Sequence, residues 1–137
     1  MDWNVDISKL LKGARTIAVV GCSPKPDRDS YRVAAYLQAA GYRVLPVNPV
    51  ADEILGEKVY PDLASIPPEI EIDIVDVFRR PEHIPAVVDA VLERGAGALW
   101  LQLGCSHPDS ERRAADAGLD VVSDRCIKIE HRDLLGN

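Results

Sequence analysis

Short apolar segments alternate along this chain with longer stretches of helical periodicity. Five of the apolar segments are brief, rich in β-branched residues and apolar at successive positions. That pattern is typical of strands covered on both faces in a parallel sheet. The predicted strands are 16–20, 43–47, 72–77, 98–101 and 119–122.

Four intervening segments predict helices. The clearest covers 81–94, where five apolar residues recur at helical spacing: Ile84, Val87, Val88, Val91 and Leu92. Pro81 suits its first turn and Gly95 its end. The other predicted helices are 7–12, 109–117, and one that starts with Asp29 or Ser30 as N-cap and stops at Gly41. Residues 51–68 predict an irregular segment with at most one small strand near 58–60.

The order strand, helix, strand, repeated along the chain, predicts an α/β fold. We expect one Rossmann-like domain over 1–137, in three layers: a doubly wound, mainly parallel five-stranded sheet with helices on both faces. In such a fold the ligand crevice lies beyond the carboxyl ends of the strands. Candidate site residues are therefore those that directly follow each strand.

Charge and composition exclude several classes of function. The 137 residues carry a net charge of −6, with both signs interspersed, so no basic stripe is available for nucleic acid. Residues 1–6 lack the cationic start and apolar run of a signal peptide. No segment approaches a membrane span, and three cysteines without CxxC spacing predict neither a disulfide framework nor a zinc site. We expect a cytoplasmic protein without membrane or nucleic-acid partners.

The loop after the first strand is the first candidate site. Gly21 permits a tight turn and a close approach of backbone to ligand. Ser23 offers a hydroxyl, and the following helix would point its N–H groups into the crevice. Lys25, Arg28 and Arg32 add positive charge nearby. The loop predicts phosphate binding, although it matches neither GxGxxG nor a P-loop, and an ordinary surface turn fits it equally well.

The end of the second strand bears on which nucleotide binds. Folds that bind NAD usually place an acidic residue there to accept from the ribose diol. This chain has Asn48 and Pro49 instead, and a neutral amide tolerates a phosphorylated ribose that a carboxylate repels. NADP and coenzyme A both carry such a phosphate. Asn48 as the start of an Asn-Pro turn is the competing interpretation.

Several motifs, taken together, resemble a known family. They are Gly-x-Ser-Pro-Lys-Pro-x-Arg-x-Ser-Tyr (21–31), Val-x-Pro-Val-Asn-Pro (44–49), Ile-Leu-Gly-x-Lys-Val-Tyr-Pro (54–61), Val-Asp-Val-Phe-Arg-Arg-Pro-Glu (75–82), Leu-Trp-Leu-Gln-Leu-Gly (99–104) and Asp-Arg-Cys-Ile-Lys-Ile-Glu-His (124–131). The chain resembles the small stand-alone CoA-binding proteins, and through them the CoA-binding domain of the succinyl-CoA synthetase α subunit. The resemblance covers nearly everything after about residue 10.

The resemblance implies a Rossmann-like domain that binds CoA or an acyl-CoA, with no established catalysis in the stand-alone members. Carried over by position, the phosphate and nucleotide site would be lined by Gly21, Ser23, Lys25, Ser30 and Tyr31. Asn48 and Pro49 would flank the adenosine, and Val77, Phe78 and Arg79 would close the other side. The phosphohistidine of the synthetase belongs to a second domain that has no counterpart in this sequence, so its chemistry is not carried over.

Other candidate residues carry less specific signals. Phe78 and Arg79 offer an aromatic face and a guanidinium at a strand end, unless Phe78 packs in the core. Gln102 offers an amide to the ligand. Cys22, close to a helix N-terminus, suggests the hypothesis of a stabilised thiolate that forms a mixed disulfide with CoA, against the commoner small buried thiol.

Neither catalytic nor metal-binding residues are predicted. The three histidines lack metal-ligand spacing, and the acidic pairs Asp73/Asp76 and Glu130/Asp133 give no sign of one raised pKa. Three functions remain open: a CoA-binding module with an unknown protein partner, a small NAD(P)-dependent oxidoreductase or redox sensor using the same crevice, and an interaction protein that has lost its ligand.

Overall fold

A five-stranded, wholly parallel sheet forms the centre of the protein. The structure is a computed structural model and describes residues 3–136. The sheet strands are β1 (Thr16–Val20), β2 (Arg43–Val47), β5 (Ile74–Val77), β6 (Ala98–Leu101) and β7 (Asp120–Ser123). Their spatial order is β2-β1-β5-β6-β7, so the chain reverses direction across the sheet at β1. Met1 and Asp2 belong to the segment 1–6, which lacks the features of a signal peptide, and they lie outside the described residues.

Helices cover both faces of this sheet. Buried side chains of α3 (Ile84–Arg94) and α4 (Pro108–Asp116) pack in one core cluster. Those of α1 (Ile7–Gly13), α2 (Asp29–Ala39) and α5 (Ile127–Leu134) pack in the cluster on the other face. The expected three-layer, Rossmann-like α/β fold is therefore confirmed. None of the helices within residues 3–136 has the length and apolar character that crossing a membrane requires.

Continuous burial explains why the strands read as unbroken apolar runs. Every residue of β1, β5 and β6 is buried, because the crossover helices shield both sides of a parallel sheet. The charged residue among them is Asp76 in β5, the central strand. It has 0 % exposure and pairs in register with Val19 and Trp100.

Several boundaries differ from the predicted ones. The helix predicted over 81–94 begins as a 3-10 turn, Pro81–His83, before α3. Arg28, rather than Asp29 or Ser30, occupies the N-cap position of α2. Helix α5 was not predicted, because its eight residues mix charged and apolar side chains in too short a span to show a clear period.

The segment 51–68 contains more order than its prolines suggested. Strands β3 (Glu53–Ile54) and β4 (Glu57–Lys58) form a small antiparallel hairpin. Beyond it, Tyr60 bridges to Val47 at the end of β2, and a 3-10 turn covers Leu63–Ser65. The hairpin and turn therefore place residues 60–65 beside the carboxyl end of β2.

Candidate functional site

Gly21 lies where the first loop crosses over the neighbouring strand. Its φ is +80°, and a Cβ atom at this position would lie 2.3 Å from the carbonyl oxygen of Phe78. Real Cβ atoms do not approach a carbonyl so closely, and positive φ adds strain for any L side chain. Glycine is therefore required both for the turn and for the contact between the loop and the end of β5.

Hydrogen bonds fold the first loop back on the start of α2. The Ser30 hydroxyl accepts from the Ser23 N–H at 2.9 Å, and the Ser23 hydroxyl accepts from the Lys25 N–H at 3.1 Å. Ser30 is buried, whereas Lys25 is exposed. The loop is thus held in one shape by its own serines, and the Lys25 side chain remains in solvent.

The N-terminus of α2 opens toward this loop without a cap. Arg28 stands at the N-cap position, and within residues 3–136 its side chain makes no capping hydrogen bond to the first turn of the helix. The first N–H groups of a helix have no partner within the helix and carry partial positive charge. An uncapped terminus at the carboxyl edge of the sheet is therefore suited to an anion. Arg32 forms an exposed ion pair with Asp29 at 3.6 Å, so its charge is partly compensated.

Asn48 joins β2 to the first loop. Its Oδ1 accepts from the N–H groups of Val50 and Ala51 at 2.8 and 3.0 Å, and its Nδ2 donates to the Cys22 carbonyl at 2.9 Å. The turn interpretation of Asn48 is confirmed. Because Oδ1 accepts from the segment after β2 and Nδ2 donates to the loop after β1, the Asn48 amide holds the backbones of these two loops together.

A cavity of about 280 Å³ opens beside Gly21 on the side of the sheet covered by α3. Its walls are largely apolar and come from the ends of β1 and β2, the turn after Tyr60, and the first half of α3. Three predicted site residues line it: Gly21, Pro49 and Arg79. Arg79 is half-buried, and its Cδ lies 3.2 Å from the Cβ position of Gly21. The guanidinium stem therefore lies directly over the loop.

A larger depression lies elsewhere, with a volume of about 540 Å³. It opens between the N-terminal residues Trp3 to Ile7 and the edge strand β7, and neither Gly21 nor any part of the first loop lines it. We take the smaller cavity as the candidate site, because it lies at the switch point between β1 and β5 where ligands of this fold class bind.

Some predicted site residues point into the core rather than into the crevice. Val77 and Cys22 are fully buried, and Gln102 is 5 % exposed. The Gln102 Oε1 accepts from the Ile127 N–H at 3.1 Å, which caps the start of α5. Phe78 and Tyr31 are half-buried and pack against the cluster around α2.

The environment of Cys22 disagrees with the hypothesis of a reactive thiolate. Burial, together with the nearby charge of Asp76 when ionised, raises the pKa of the Cys22 thiol to about 12. A thiol with that pKa and no exposed surface is a small apolar core residue. Cys22 contributes to the loop through its backbone, whose carbonyl accepts from Asn48, and its thiol is buried in the core.

The expectation for the Asp73/Asp76 pair is also wrong. Burial raises the pKa of Asp76 well above its usual value, and neither carboxyl oxygen has a hydrogen-bond partner among residues 3–136. Asp73 instead accepts from the Arg15 and Thr16 N–H groups, both at 2.9 Å, at the amino ends of β1 and β5, which is the end of the sheet away from the candidate site. The two carboxyls have separate environments and different roles.

The structure adds residues that sequence reasoning missed. The cavity is also lined by Pro61, Asp62, Leu63, His83, Ala86, Val87 and Ala90. His83 lies one short turn beyond Arg79, which follows β5. Its closeness to the end of a strand could therefore have identified it as a candidate site residue. Residues 61–63 had no such signal, because only the bridge between Tyr60 and Val47 brings them to the site.

Comparison with known proteins gives this arrangement a context. A protein-family model described as "CoA binding domain" matches residues 15–132. The uncharacterized protein YneT of Bacillus subtilis is 41% identical over 126 residues, which cover 92% of this chain and 92% of that one. The solved structure of a hypothetical protein from Pyrococcus horikoshii is 40% identical with a TM-score of 0.91, and the alignment covers 96% of this chain and 91% of that one.

A larger enzyme contains a related segment. Acetate–CoA ligase [ADP-forming] II of Archaeoglobus fulgidus is 30% identical over 109 residues, covering 77% of this chain. The matched region is 16% of the ligase, so most of that enzyme has no counterpart in this chain.

Proposed function

Because this chain belongs to the CoA binding domain family, we propose that it binds coenzyme A or an acyl-CoA at the carboxyl ends of its strands, in the cytoplasm and without catalysis of its own. One observation carries the proposal. Gly21 and Arg79 line an apolar cavity, and the loop that begins at Gly21 is hydrogen-bonded through Ser23 to Ser30 in the first turn of α2, whose N-cap residue provides no side-chain cap.

The diphosphate belongs at the Gly21 loop. The free N–H groups of α2 favour an anion there, and Gly21 lets backbone approach it without a Cβ in the way. Arg79, held above the loop, supplies a guanidinium that pairs with phosphate oxygens in a bidentate manner. Lys25 is exposed at the loop rim, where its ammonium adds a second, more mobile charge.

The adenosine belongs in the cavity beyond β2. Rossmann-like folds place the nucleoside at the end of the second strand, and Val47 and Pro49 from that region form one wall. A volume of about 280 Å³ lies just below the usual range for ligand pockets, about 300–1,000 Å³. It suits one ring system rather than a whole cofactor, so the pantetheine arm would extend outside it.

NAD is disfavoured by the same geometry. Its ribose diol needs an acceptor at the end of β2. There the Asn48 Oδ1 is already occupied by two backbone donors, and Pro49 offers no polar side chain. The direct test is calorimetric titration of the purified protein with CoA, acetyl-CoA, NAD, NADP and ATP.

Arg79→Gln and Arg80→Gln form a matched pair of variants for that titration. Both remove one guanidinium, but only Arg79 lines the cavity, and Arg80 is exposed outside it. Loss of a charge-assisted hydrogen bond lowers affinity by about 1.5–3 kcal/mol, so Arg79→Gln should raise the Kd for CoA by about 10- to 150-fold. Arg80→Gln should leave it nearly unchanged. Binding of NAD(P) in preference to CoA, or equal effects of the two variants, would contradict the proposal.

A further inference from the structure

We propose that His83 selects a ligand with a phosphorylated ribose at this site, and thereby distinguishes CoA from dephospho-CoA. The inference rests on the proposed CoA-binding function and adds a specificity-determining residue to it. The juxtaposition that carries it is an exposed imidazole on the wall of the same cavity that Gly21, Pro49 and Arg79 line.

The position of His83 is set by a short rigid turn. Pro81 begins the 3-10 turn Pro81–His83, and the His83 N–H donates to the Arg80 carbonyl at 2.9 Å. The next residue, Ile84, is fully buried and anchors the start of α3 in the core. The backbone under His83 is therefore fixed on both sides, while the imidazole itself remains exposed at the cavity wall.

His83 is the cationic side chain of the cavity that remains for the ribose phosphate once Arg79 is assigned to the diphosphate. Among the residues lining the cavity, only Arg79 and His83 can carry positive charge. Arg79 lies over Gly21 and is assigned to the diphosphate. Directly after β2 the chain offers no cation, since Pro49, Val50 and Ala51 are uncharged and the next two residues are acidic.

The acidic group of the cavity does not compete for His83. Asp62 lies on the lining with its Oδ1 held by the N–H and hydroxyl of Ser65, at 2.8 and 2.6 Å. No hydrogen bond or ion pair joins Asp62 to His83 among residues 3–136. The imidazole is thus available to donate to a phosphate oxygen.

Lys58 is a rival cation for the ribose phosphate, because it lies close to the end of β2. Lys58 lies in β4 with its Nζ 5.3 Å from the centre of the Tyr60 ring, and the backbone of Tyr60 bridges to Val47. It does not line the cavity. Lys58→Gln is accordingly the matched control, because it removes a positive charge close to the same strand end without touching the proposed ribose-phosphate contact.

The experiment is calorimetric titration of the wild-type protein, His83→Ala and Lys58→Gln with CoA and with dephospho-CoA. His83→Ala should bind CoA about tenfold more weakly than the wild type, because the variant loses a charge-assisted contact to phosphate. The same variant should bind dephospho-CoA as the wild type does. Lys58→Gln should keep the wild-type preference for CoA.

Each other outcome overturns the inference in a distinguishable way. If the wild type binds both ligands equally, no residue of the protein contributes a specific contact to the ribose phosphate. If His83→Ala weakens both ligands alike, His83 is a general contact, and if Lys58→Gln removes the preference, Lys58 is the selecting residue. If the wild type binds neither ligand, the proposed function itself fails.

Discussion

The side-chain amide of Asn48 donates to the carbonyl of Cys22 at 2.9 Å and so connects the end of β2 to the loop after β1. Asn48, at the position where NAD folds usually have a ribose-binding acid, therefore supports the loop after β1. Its neutrality has a structural cause, because a carboxylate has no hydrogen to donate to that carbonyl.

Asn48→Asp should weaken both the fold and the site. The substitution keeps an acceptor for Val50 and Ala51 but places an oxygen opposite the Cys22 carbonyl. Loss of the bond and the new repulsion should lower the free energy of unfolding by about 1–3 kcal/mol, and CoA affinity should fall without any gain for NAD. Urea denaturation and calorimetry check this. Asp52→Asn, a charge change at an exposed position nearby, should alter stability little; an Asn48→Asp protein as stable as the wild type would refute the supporting role.

Gly21→Ala should be more damaging than Gly104→Ala. The two glycines have nearly equal φ, +80° and +78°, but no atom lies within 4 Å of the Cβ position at Gly104. Positive φ alone should cost about 1–2 kcal/mol at both positions. The clash with the Phe78 carbonyl should add about 1–3 kcal/mol at Gly21, visible as a lower urea midpoint and weaker CoA binding. Equal destabilisation would show that the loop moves away without penalty.

The buried carboxyl of Asp76 should make stability depend on pH. Its pKa is raised in the folded protein, so the folded state holds the proton more tightly than the unfolded chain. The contribution of Asp76 to stability should therefore be fully present below its unfolded pKa of about 4 and be lost as pH rises through the raised pKa. Asp76→Asn, which does not titrate, should remove this part of the slope in urea denaturation between about pH 3 and 9.

Two further variants make the Asp76 test specific. Asp27→Asn removes an exposed carboxyl of the first loop and should leave the pH slope as it is. Asp76→Val replaces an unpartnered polar group with an apolar one that suits a strand, and should raise the free energy of unfolding by about 1–3 kcal/mol at neutral pH. Destabilisation by Asp76→Val would mean that the carboxyl has a stabilising partner.

Trp3→Phe should destabilise the attachment of the N-terminal residues. The Trp3 Nε1 donates to Glu111 Oε1 at 3.0 Å, and Glu111 is 1 % exposed, with its Oε2 accepting from the His107 N–H at 2.9 Å. Removing the indole donor leaves one oxygen of a buried carboxylate unpaired, which should cost about 1–3 kcal/mol. Arg112→Gln removes only the cation above the Trp3 ring and should cost less than about 1 kcal/mol. Thermal unfolding distinguishes the two.

The architecture and the family could be predicted from the order of apolar and polar residues and from the motifs. Buried parallel strands must be apolar at successive positions, so 16–20 and 98–101 were recognisable without any tertiary information, and Gly21 follows from the first of them. The motifs of 21–31 and 75–82 identified the family, which the comparisons confirm.

Contacts between distant segments could not be predicted from the sequence. The Phe78 carbonyl above Gly21, the amide of Asn48 against Cys22, and His83 opposite the turn after Tyr60 each join segments that lie far apart in the chain. Periodicity records which face of an element is buried, and says nothing about which loop is its neighbour. For the same reason Asp76 could not be told from an exposed acid: its burial depends on helices packing over both faces of the central strand.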